Sequence, residues 1–506
     1  MADEPAREPA LSSKVARGVA WAAGAQAVIA VADLVSQLVV TVFFTSTKDL
    51  GIAFAAISFY TALDYIADLG VGSALIQHDD HTPDRVSTVF WFNLLVTGGL
   101  FVLLLGLGPL YGWIQDAPVL GWLLVAYGGK LLLQNVYAIP FALLRKELRF
   151  AEIAKARVVA HMCESVGRVA FAALGATVWC WTFAALTRAL VFGVAVQLLH
   201  PFFPRFVFKP REVTPYIKFG LRTAASNVLY QLYTSLDAPI VFHFFGEQAA
   251  GIYALADQIV LEPVKTIANV VIDVAYPTFA KLRGDRRALV AQLVKFTRLN
   301  LIAVLPYAVL VVLVIPEILR LFWQGHGGWT PTTIAWCADC ARILCVMGLF
   351  RALGYLGPPL LDGVGKPEYT LRYMVVAVIA VPASFWLSAV VLGDRLWFLS
   401  VAVAWAIGYP IAFAALGFLV VRTVHLDLRA YLRGTWGVVA CCALGCGAGF
   451  ATSAWLAHAS DAIRLPAIAF AALAVIAGSL ALWQGVTPRA IAGAFAATDE
   501  PPMPGE

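Results

Sequence analysis

Charged and polar side chains share one face of an otherwise apolar stretch in the middle of the chain. The stretch covers residues 251–277, and steps of four, three, four and four residues separate Gln258, Glu262, Lys265, Asn269 and Asp273. This spacing places the five side chains on one side of an α-helix. A charged side chain at the bilayer centre costs about 2.5 to 3.5 kcal/mol on insertion scales, so such a face should point into a helix bundle or a water-filled cavity. The stretch therefore predicts a polar path through a membrane.

Three further apolar segments have polar side chains at the same helical spacing. They are residues 18–44 with Asp33, 51–77 with Asp64 and Asp68, and 216–245 with Tyr230, Tyr233 and Asp237. Other segments add the ionic residues Lys130, Glu164, Arg168, Arg188, Arg342 and Arg351. The segments 87–110, 396–421, 434–457 and 465–486 contain no Asp, Glu, Lys or Arg. We expect the four polar-faced segments to line a cavity and these four to lie at the periphery.

Neutral ion pairs within single helices are the alternative to a binding cavity. Glu164 and Arg168 are separated by four positions. Glu262 and Lys265 are separated by three positions, and so are Asp339 and Arg342. Such pairs can neutralise each other inside a bundle. Tyr230 and Tyr233 can likewise be packing residues or platforms for sugar rings. The sequence leaves these alternatives open.

The composition identifies the class of protein that holds these faces. Hydrophobic residues make up 61% of 506 positions, charged residues 13%, and the mean hydropathy is +0.80, which predicts an all-α polytopic membrane protein. With about 20 residues per crossing, fourteen segments qualify. They are residues 18–44, 51–77, 87–110, 119–143, 153–178, 181–200, 216–245, 248–276, 299–322, 333–356, 370–392, 396–421, 434–457 and 465–486.

The distribution of basic residues predicts the orientation. With the N-terminus in the cytoplasm, the outside loops hold only Lys48, Arg320, Arg395 and Arg464, and the inside loops hold most of the other Lys and Arg. An even number of crossings then returns the C-terminus to the cytoplasm. This asymmetry explains the formal charge of +5 without a nucleic-acid partner. The polar residues 1–13 do not resemble a cleaved signal.

A weak internal repeat relates two parts of the chain. Residues 42–56 read VFFTSTKDLGIAFAA and residues 243–256 read HFFGEQAAGIYALA, with a Phe-Phe pair, a short polar turn and a Gly-Ile start in each. The copies are spaced by about 200 residues, and parallel repeats of this kind are typical of transporters that bind their substrate between the halves. We expect a cytoplasmic tail (1–13), an N-lobe (14–215), a C-lobe (216–421), two added helices (422–487) and a second cytoplasmic tail (488–506).

Three sequence motifs resemble the polysaccharide-transport branch of the multidrug/oligosaccharidyl-lipid/polysaccharide (MOP) superfamily, which includes the Wzx-type O-antigen flippases. They are DLGVGSALIQ at 68–77, AYPTFAKLRGD at 275–285 and GVGKPEYTLRY at 363–373. The resemblance implies two six-helix lobes around a central cavity that opens alternately to either side. It implies a flippase of lipopolysaccharide or exopolysaccharide biosynthesis that moves an undecaprenyl-diphosphate-linked oligosaccharide from the cytoplasmic to the periplasmic leaflet of the bacterial inner membrane.

The resemblance also bears on the energy source and the partners. Family members are thought to use an ion gradient, here of H⁺ or Na⁺, with no cofactor and no nucleotide hydrolysis, and the chain has no GxxxxGK[ST] phosphate loop. The protein is then a transporter and not an enzyme. Its partners would be the lipid-linked oligosaccharide, membrane lipid, and the polysaccharide polymerase and assembly proteins.

The roles of individual residues follow from the chemistry of such a cargo. A diphosphate needs cationic donors to replace its water, so we expect Lys265, Arg168, Lys130 and Arg188 to bind it, with Tyr230 and Tyr233 beside the sugars. Ion coupling needs carboxylates whose charge can change, and the candidates are Asp64, Asp68, Asp257 and Glu262. We expect no catalytic residue and no metal site.

Other transport and enzyme classes fit the sequence less well. A drug or cation antiporter of the same superfamily would prefer acid-lined sites, whereas the intramembrane bases favour an anionic cargo. A major-facilitator exporter normally has twelve helices and a DRxGR loop that this chain lacks. A membrane-embedded polymerase or glycosyltransferase generally uses sizeable outside loops, and those expected here are short.

Overall fold

The computed structural model describes residues 11–67, 82–211, 214 and 228–485, and this part of the chain is helical with no β-strand. Fourteen helices have defined bounds within it. They are α1 (Leu11–Phe43), α2 (Thr47–Ala67), α3 (Pro83–Ile114), α4 (Pro118–Lys146), α5 (Phe150–Ala173), α6 (Cys180–Leu199), α7 (Asp237–Lys281), α8 (Arg286–Phe322), α9 (Pro331–Gly354), α10 (Gly357–Gly363), α11 (Pro367–Leu396), α12 (Leu399–Val424), α13 (Leu428–Trp455) and α14 (Asp461–Gln484).

Local sequence signals explain where several of these helices begin. Proline occupies the first helical position of α3, α4, α9 and α11, where its missing N–H is not needed and its backbone angle suits the helix. The Asp285 side chain caps α8 by accepting from the Ala288 N–H, and Thr330 caps α9 by accepting from Thr333. The polar turns between apolar segments therefore determine the helix starts.

Eleven helices of the described part are long and apolar enough to cross a membrane. This number agrees with the predicted polytopic all-α protein and is compatible with the predicted fourteen crossings, a count that stays a prediction. The helices α5 and α7 are not among the eleven, although both are long enough. Both carry several charged side chains, which lowers their mean hydropathy. The predicted segment 216–245 and the tails 1–13 and 488–506 lie wholly or partly outside the described residues.

The chain forms two compact units. The first contains residues 1–251 and 326–328, and the second contains residues 252–325 and 329–506. In the first unit, α5 packs between α1 and α6, and α4 packs against α2, α3 and α6. In the second, α8 contacts α9, α13 and α14, while α12 contacts α9 and α11. The two C-terminal helices α13 and α14 thus pack on α8. The predicted lobe boundary at 215/216 lies outside the described residues.

Both copies of the internal repeat contain a break in the helix at the predicted turn. The first copy breaks between α1, which ends at Phe43, and α2, which begins at Thr47. In the second, Gly246 lies inside α7 with φ 82° and ψ −179°, a left-handed conformation that L-residues with a side chain rarely adopt. The predicted turn between residues 245 and 248 is therefore a kink within one long helix.

A buried ionic cluster joins the C-terminal helix α14 to α8. Glu317 of α8 is 3% exposed, and its carboxylate contacts Arg464 of α14 at 3.1 Å and Arg320 at 3.3 Å. Arg320 also contacts Asp461 at 3.2 Å. Because α13 and α14 contact the rest of their unit mainly through α8, this cluster is expected to stabilise their attachment.

Replacement of Glu317 by glutamine is expected to lower the free energy of unfolding by about 2 kcal/mol, since hydrogen bonds to charged groups contribute roughly 1.5 to 3 kcal/mol. Thermal unfolding of the purified protein in detergent measures the effect. Asp339→Asn is the matched control. Asp339 contacts Arg342, three residues later on the same helix, at 3.4 Å, and 55% of the Asp339 side chain is exposed. An equal effect of both variants would contradict a stabilising role for the buried cluster.

Candidate functional site

The helix α5 places three ionisable side chains inside the first unit. His161, Glu164 and Arg168 are three and four residues apart, so they share one face of α5. Glu164 and Arg168 are 6% and 7% exposed. The Glu164 carboxylate contacts His161 Nδ1 and Arg188 Nη1 of α6, each at 3.3 Å, and Arg168 Nη2 at 3.8 Å. Glu164 is therefore the centre of a buried ionic network.

Arg168 connects this network to α1. Its Nη1 donates to Asp33 Oδ1 at 2.7 Å, to Ser36 Oγ at 3.1 Å and to Gln37 Oε1 at 3.2 Å. The indole Nε1 of Trp181 in α6 donates to the same Gln37 oxygen at 3.0 Å. The Arg168 guanidinium thus joins α1, α5 and α6. We call Asp33, His161, Glu164, Arg168 and Arg188 the Glu164 cluster.

A second polar group lies between α2 and α4. Lys130 Nζ donates to the Tyr60 hydroxyl at 2.6 Å, and Gln134 Nε2 donates to the same oxygen at 3.0 Å. Asp64 lies four residues after Tyr60, on the same face of α2. Lys130 is 3% exposed and its ammonium lies 4.1 Å from the Tyr60 ring centroid. Tyr60 therefore accepts from two side chains of α4, one of them the predicted anion-binding Lys130, and the predicted ion-coupling Asp64 follows on the same face of α2.

The described part of the first unit contains three of the four predicted anion-binding cations, and two of them, Arg168 and Arg188, share the carboxylate of Glu164. Lys130 belongs to the separate Tyr60 group, whereas Arg168 and Arg188 are joined by two carboxylates, those of Asp33 and Glu164. Their formal charges cancel, so an incoming anion would have to replace a carboxylate as the partner of a guanidinium. The most accessible members are Asp33, with 53% of its side chain exposed, and Arg188, with 35%. A ligand would therefore reach the cluster at these two residues.

The remaining predicted site residues lie elsewhere. Tyr233 is 2% exposed and packs edge-on against Tyr230 at 5.5 Å in the first unit. Lys265 and Glu262 belong to the second unit, where they form a pair at 3.6 Å with 42% and 61% of their side chains exposed. Asp257 is half-buried in the second unit, and Asp68 lies outside the described residues. The fully buried Tyr233 favours packing over sugar binding.

Intrahelical ion pairs, the alternative left open by the sequence, are present at all three positions considered. Asp339 and Arg342, Glu262 and Lys265, and Glu164 and Arg168 all contact each other. Of these three pairs, only the pair of Glu164 and Arg168 also contacts charged side chains of other helices within the described residues. A sequence signal could have identified Glu164 as the centre of the ionic network. Two possible cations, His161 and Arg168, flank it on one helical face, and Arg188 follows in the next segment.

Comparisons with known proteins agree on family and fold. The profile of the family described as "Polysaccharide biosynthesis protein" matches residues 24–326. The chain is 25% identical to the teichuronic acid biosynthesis protein TuaB of Bacillus subtilis (strain 168), over 73% of this chain and 74% of that protein. It is 23% identical to the lipopolysaccharide biosynthesis protein WzxC of Escherichia coli (strain K12), over 83% of this chain and 81% of that protein.

Two solved structures show the same fold at low sequence identity. The lipid II flippase MurJ in an inward closed conformation matches with a TM-score of 0.69 and 15% identity, over 92% of this chain and 99% of that chain. An inward-facing multidrug resistance MATE family transporter of the MOP superfamily matches with a TM-score of 0.60 and 16% identity, over 79% of this chain and 96% of that chain. The predicted MOP fold is therefore confirmed.

Proposed function

The chain belongs to the polysaccharide biosynthesis protein family, and from this premise we propose that it moves an undecaprenyl-diphosphate-linked oligosaccharide from the cytoplasmic to the periplasmic leaflet of the inner membrane. It is a polysaccharide transporter of the MOP superfamily and not an enzyme. We include in the proposal that transport proceeds by alternating access, that both termini are cytoplasmic, and that polymerase and assembly proteins are its partners. An H⁺ or Na⁺ gradient would drive it through Asp64, Asp68, Asp257 or Glu262.

The Glu164 cluster is the observation that best supports an anionic cargo. A diphosphate that leaves water needs donors of opposite charge, and a planar guanidinium can bind phosphate oxygens in pairs. Arg188 has a larger exposed fraction than Arg168, and its ion-pair partner within the described residues is Glu164. Diphosphate oxygens would therefore meet Arg188 first and then compete with Asp33 for Arg168.

The built-in carboxylates give a reason why such a site can release its cargo. Asp33 and Glu164 can return to the guanidinium groups when the diphosphate leaves, so neither state has uncompensated buried cations. Lys130 is enclosed by Tyr60 and Gln134, and we propose that it contributes positive potential more than direct contact.

Removal of the Arg188 charge tests this function. In liposomes that contain the purified protein and a fluorescent undecaprenyl-diphosphate oligosaccharide, Arg188→Gln is expected to reduce transbilayer movement at least about tenfold, because it removes charged hydrogen bonds that contribute roughly 1.5 to 3 kcal/mol. Arg188→Lys keeps the charge and should retain more activity. Arg395→Gln changes an exposed arginine and should have no effect.

The same assay separates the alternatives. Undiminished movement in Arg188→Gln would contradict the assigned role of the cluster. A longer glycan product would favour a polymerase, and export of cationic dyes without movement of the lipid-linked sugar would favour a drug antiporter.

A further inference from the structure

An irregular segment after α6 runs along the first turns of α3. We call residues 202–209 the α6 linker. Its backbone is held by three side chains of α3: Ser87 Oγ accepts from the Arg205 N–H at 2.9 Å, Trp91 Nε1 donates to the Arg205 carbonyl at 2.8 Å, and Thr88 Oγ1 accepts from the Lys209 N–H at 3.3 Å. These contacts fix the linker against the N-terminal end of one membrane-crossing helix.

The α6 linker exposes three aromatic side chains. Phe203, Phe206 and Phe208 are 81%, 94% and 48% exposed. Phe206 also stacks on the ring of Trp91, with centroids 5.4 Å apart. Three exposed phenylalanines within six residues are costly in water, so this row requires an apolar environment on its open side.

The position of the linker along α3 indicates that this environment is lipid. The 32 residues of α3 extend about 48 Å, which exceeds a hydrocarbon core of about 30 Å. Asp84 and Arg85 in its first turn should lie at the membrane surface, because charges in hydrocarbon are unfavourable. Trp91 is seven residues further, or about 10 Å deeper. The linker spans this depth, which is the interfacial region that aromatic side chains prefer.

The apolar outer face of α3 continues directly from the aromatic row. Leu95 lies one helical turn after Trp91, and Leu95 and Val102 are 62% and 67% exposed. Phe206, Trp91, Leu95 and Val102 therefore follow one another along the helix. A face that crosses the membrane in this way contacts acyl chains, and its continuity with the linker favours lipid over a soluble protein as the neighbour of Phe206.

Basic side chains accompany the aromatic row. Arg205 Nη1 and Lys209 Nζ contact the two carboxylate oxygens of Asp84 at 3.4 and 3.3 Å, and their side chains are 63% and 50% exposed. Arg211 follows and is also exposed. Among the described residues of this segment, the three basic side chains outnumber the carboxylate of Asp84, and a positively charged segment attracts acidic lipid headgroups.

We propose that the α6 linker is a lipid-binding segment. Phe203, Phe206 and Phe208 insert at the boundary of headgroups and acyl chains, and Arg205, Lys209 and Arg211 bind the phosphates of acidic phospholipids. Binding of this kind is independent of the transported substrate, so it can be tested without that substrate.

A photo-crosslinking amino acid tests the position of the aromatic row. p-Benzoylphenylalanine at position 206 is close in shape to the native phenylalanine, and the full-length protein can be placed in nanodiscs of equal parts phosphatidylglycerol and phosphatidylethanolamine. Illumination is expected to give phospholipid adducts at position 206, detected by mass spectrometry. The same probe at position 283, in the exposed turn between α7 and α8, should give few adducts.

Headgroup preference tests the role of the basic residues. In the adducts at position 206, the ratio of phosphatidylglycerol to phosphatidylethanolamine is expected to be at least threefold above the ratio in the nanodisc. The triple variant Arg205→Gln, Lys209→Gln, Arg211→Gln should bring this ratio back to that of the nanodisc. The matched control replaces Lys281, Arg283 and Arg287, which are exposed around the α7–α8 turn, and should leave the ratio unchanged. Adducts to protein at position 206, or phospholipid adducts at the bulk ratio in the native sequence, would overturn the proposal.

Discussion

Replacement of Gly51 by alanine is expected to destabilise the protein and to abolish polysaccharide export. An alanine Cβ at this position would lie 1.9 Å from the Glu247 carbonyl oxygen and 2.7 Å from the Gly251 nitrogen. Both are backbone atoms, so no side-chain rotation can relieve the overlap. Overpacking typically costs about 1 to 3 kcal/mol, and contacts this short with backbone belong at or above the upper end.

The same result is expected for Gly251→Ala, because the contact is reciprocal. A Cβ on Gly251 would lie 1.7 Å from the Thr47 carbonyl oxygen and 3.0 Å from the Gly51 nitrogen. These two glycines begin the Gly-Ile pairs of the internal repeat. Gly51 lies four residues after Thr47, and Gly251 lies four residues after Glu247. Within the first unit, a bridge between Lys48 and Glu247 at 3.2 Å supports the same contact.

Thermal unfolding and export in a strain that lacks the native protein measure both glycine variants. Gly98→Ala in α3 is the matched control, since a Cβ there meets nothing within 4 Å, and alanine is the better helix former. It should not lower stability. Full activity of Gly51→Ala would show that the contact is dispensable for export.

Replacement of Glu164 by glutamine is expected to have the other large effect. The change leaves Arg168 buried and Arg188 half-buried without the carboxylate that both contact. Breaking a buried ionic group by removing one partner typically costs about 3 to 5 kcal/mol. We expect a correspondingly lower thermal stability and a loss of the proposed transport of a lipid-linked oligosaccharide.

Inorganic pyrophosphate provides a specific readout for this variant. Its oxygens can replace the missing carboxylate, so it should raise the unfolding temperature of Glu164→Gln more than that of the native protein. Glu152→Gln is the control on the same helix, because Glu152 pairs with Arg149 at an accessible position and exposed pairs contribute little. Equal shifts for the native protein and both variants would contradict an anion-binding role for the cluster.

The outcome at individual residues shows how far helical spacing can predict a site. The membrane class and the turn near Gly246 followed from composition and from the repeat, and the ion pairs within α5, α7 and α9 are present. Lys130, Arg168 and Arg188 were predicted as one set; Arg168 and Arg188 share Glu164, while Lys130 contacts Tyr60, and their common role in binding stays a prediction. The predicted contribution of Lys265 and Tyr230 to the same site remains a prediction.

The sequence by itself determined the neighbours of each residue on its own helix, because 3.6 residues per turn make positions three and four apart adjacent whatever the rest of the chain does. Only the tertiary structure decided the contacts between helices, such as Asp33 with Arg168, Arg188 with Glu164 and Tyr60 with Lys130. The rotation of one helix against another depends on the packing of many apolar side chains along both helices. A short sequence pattern does not contain that information. The α6 linker has no periodic pattern at all, and its place on α3 came only from hydrogen bonds between residues more than a hundred positions apart.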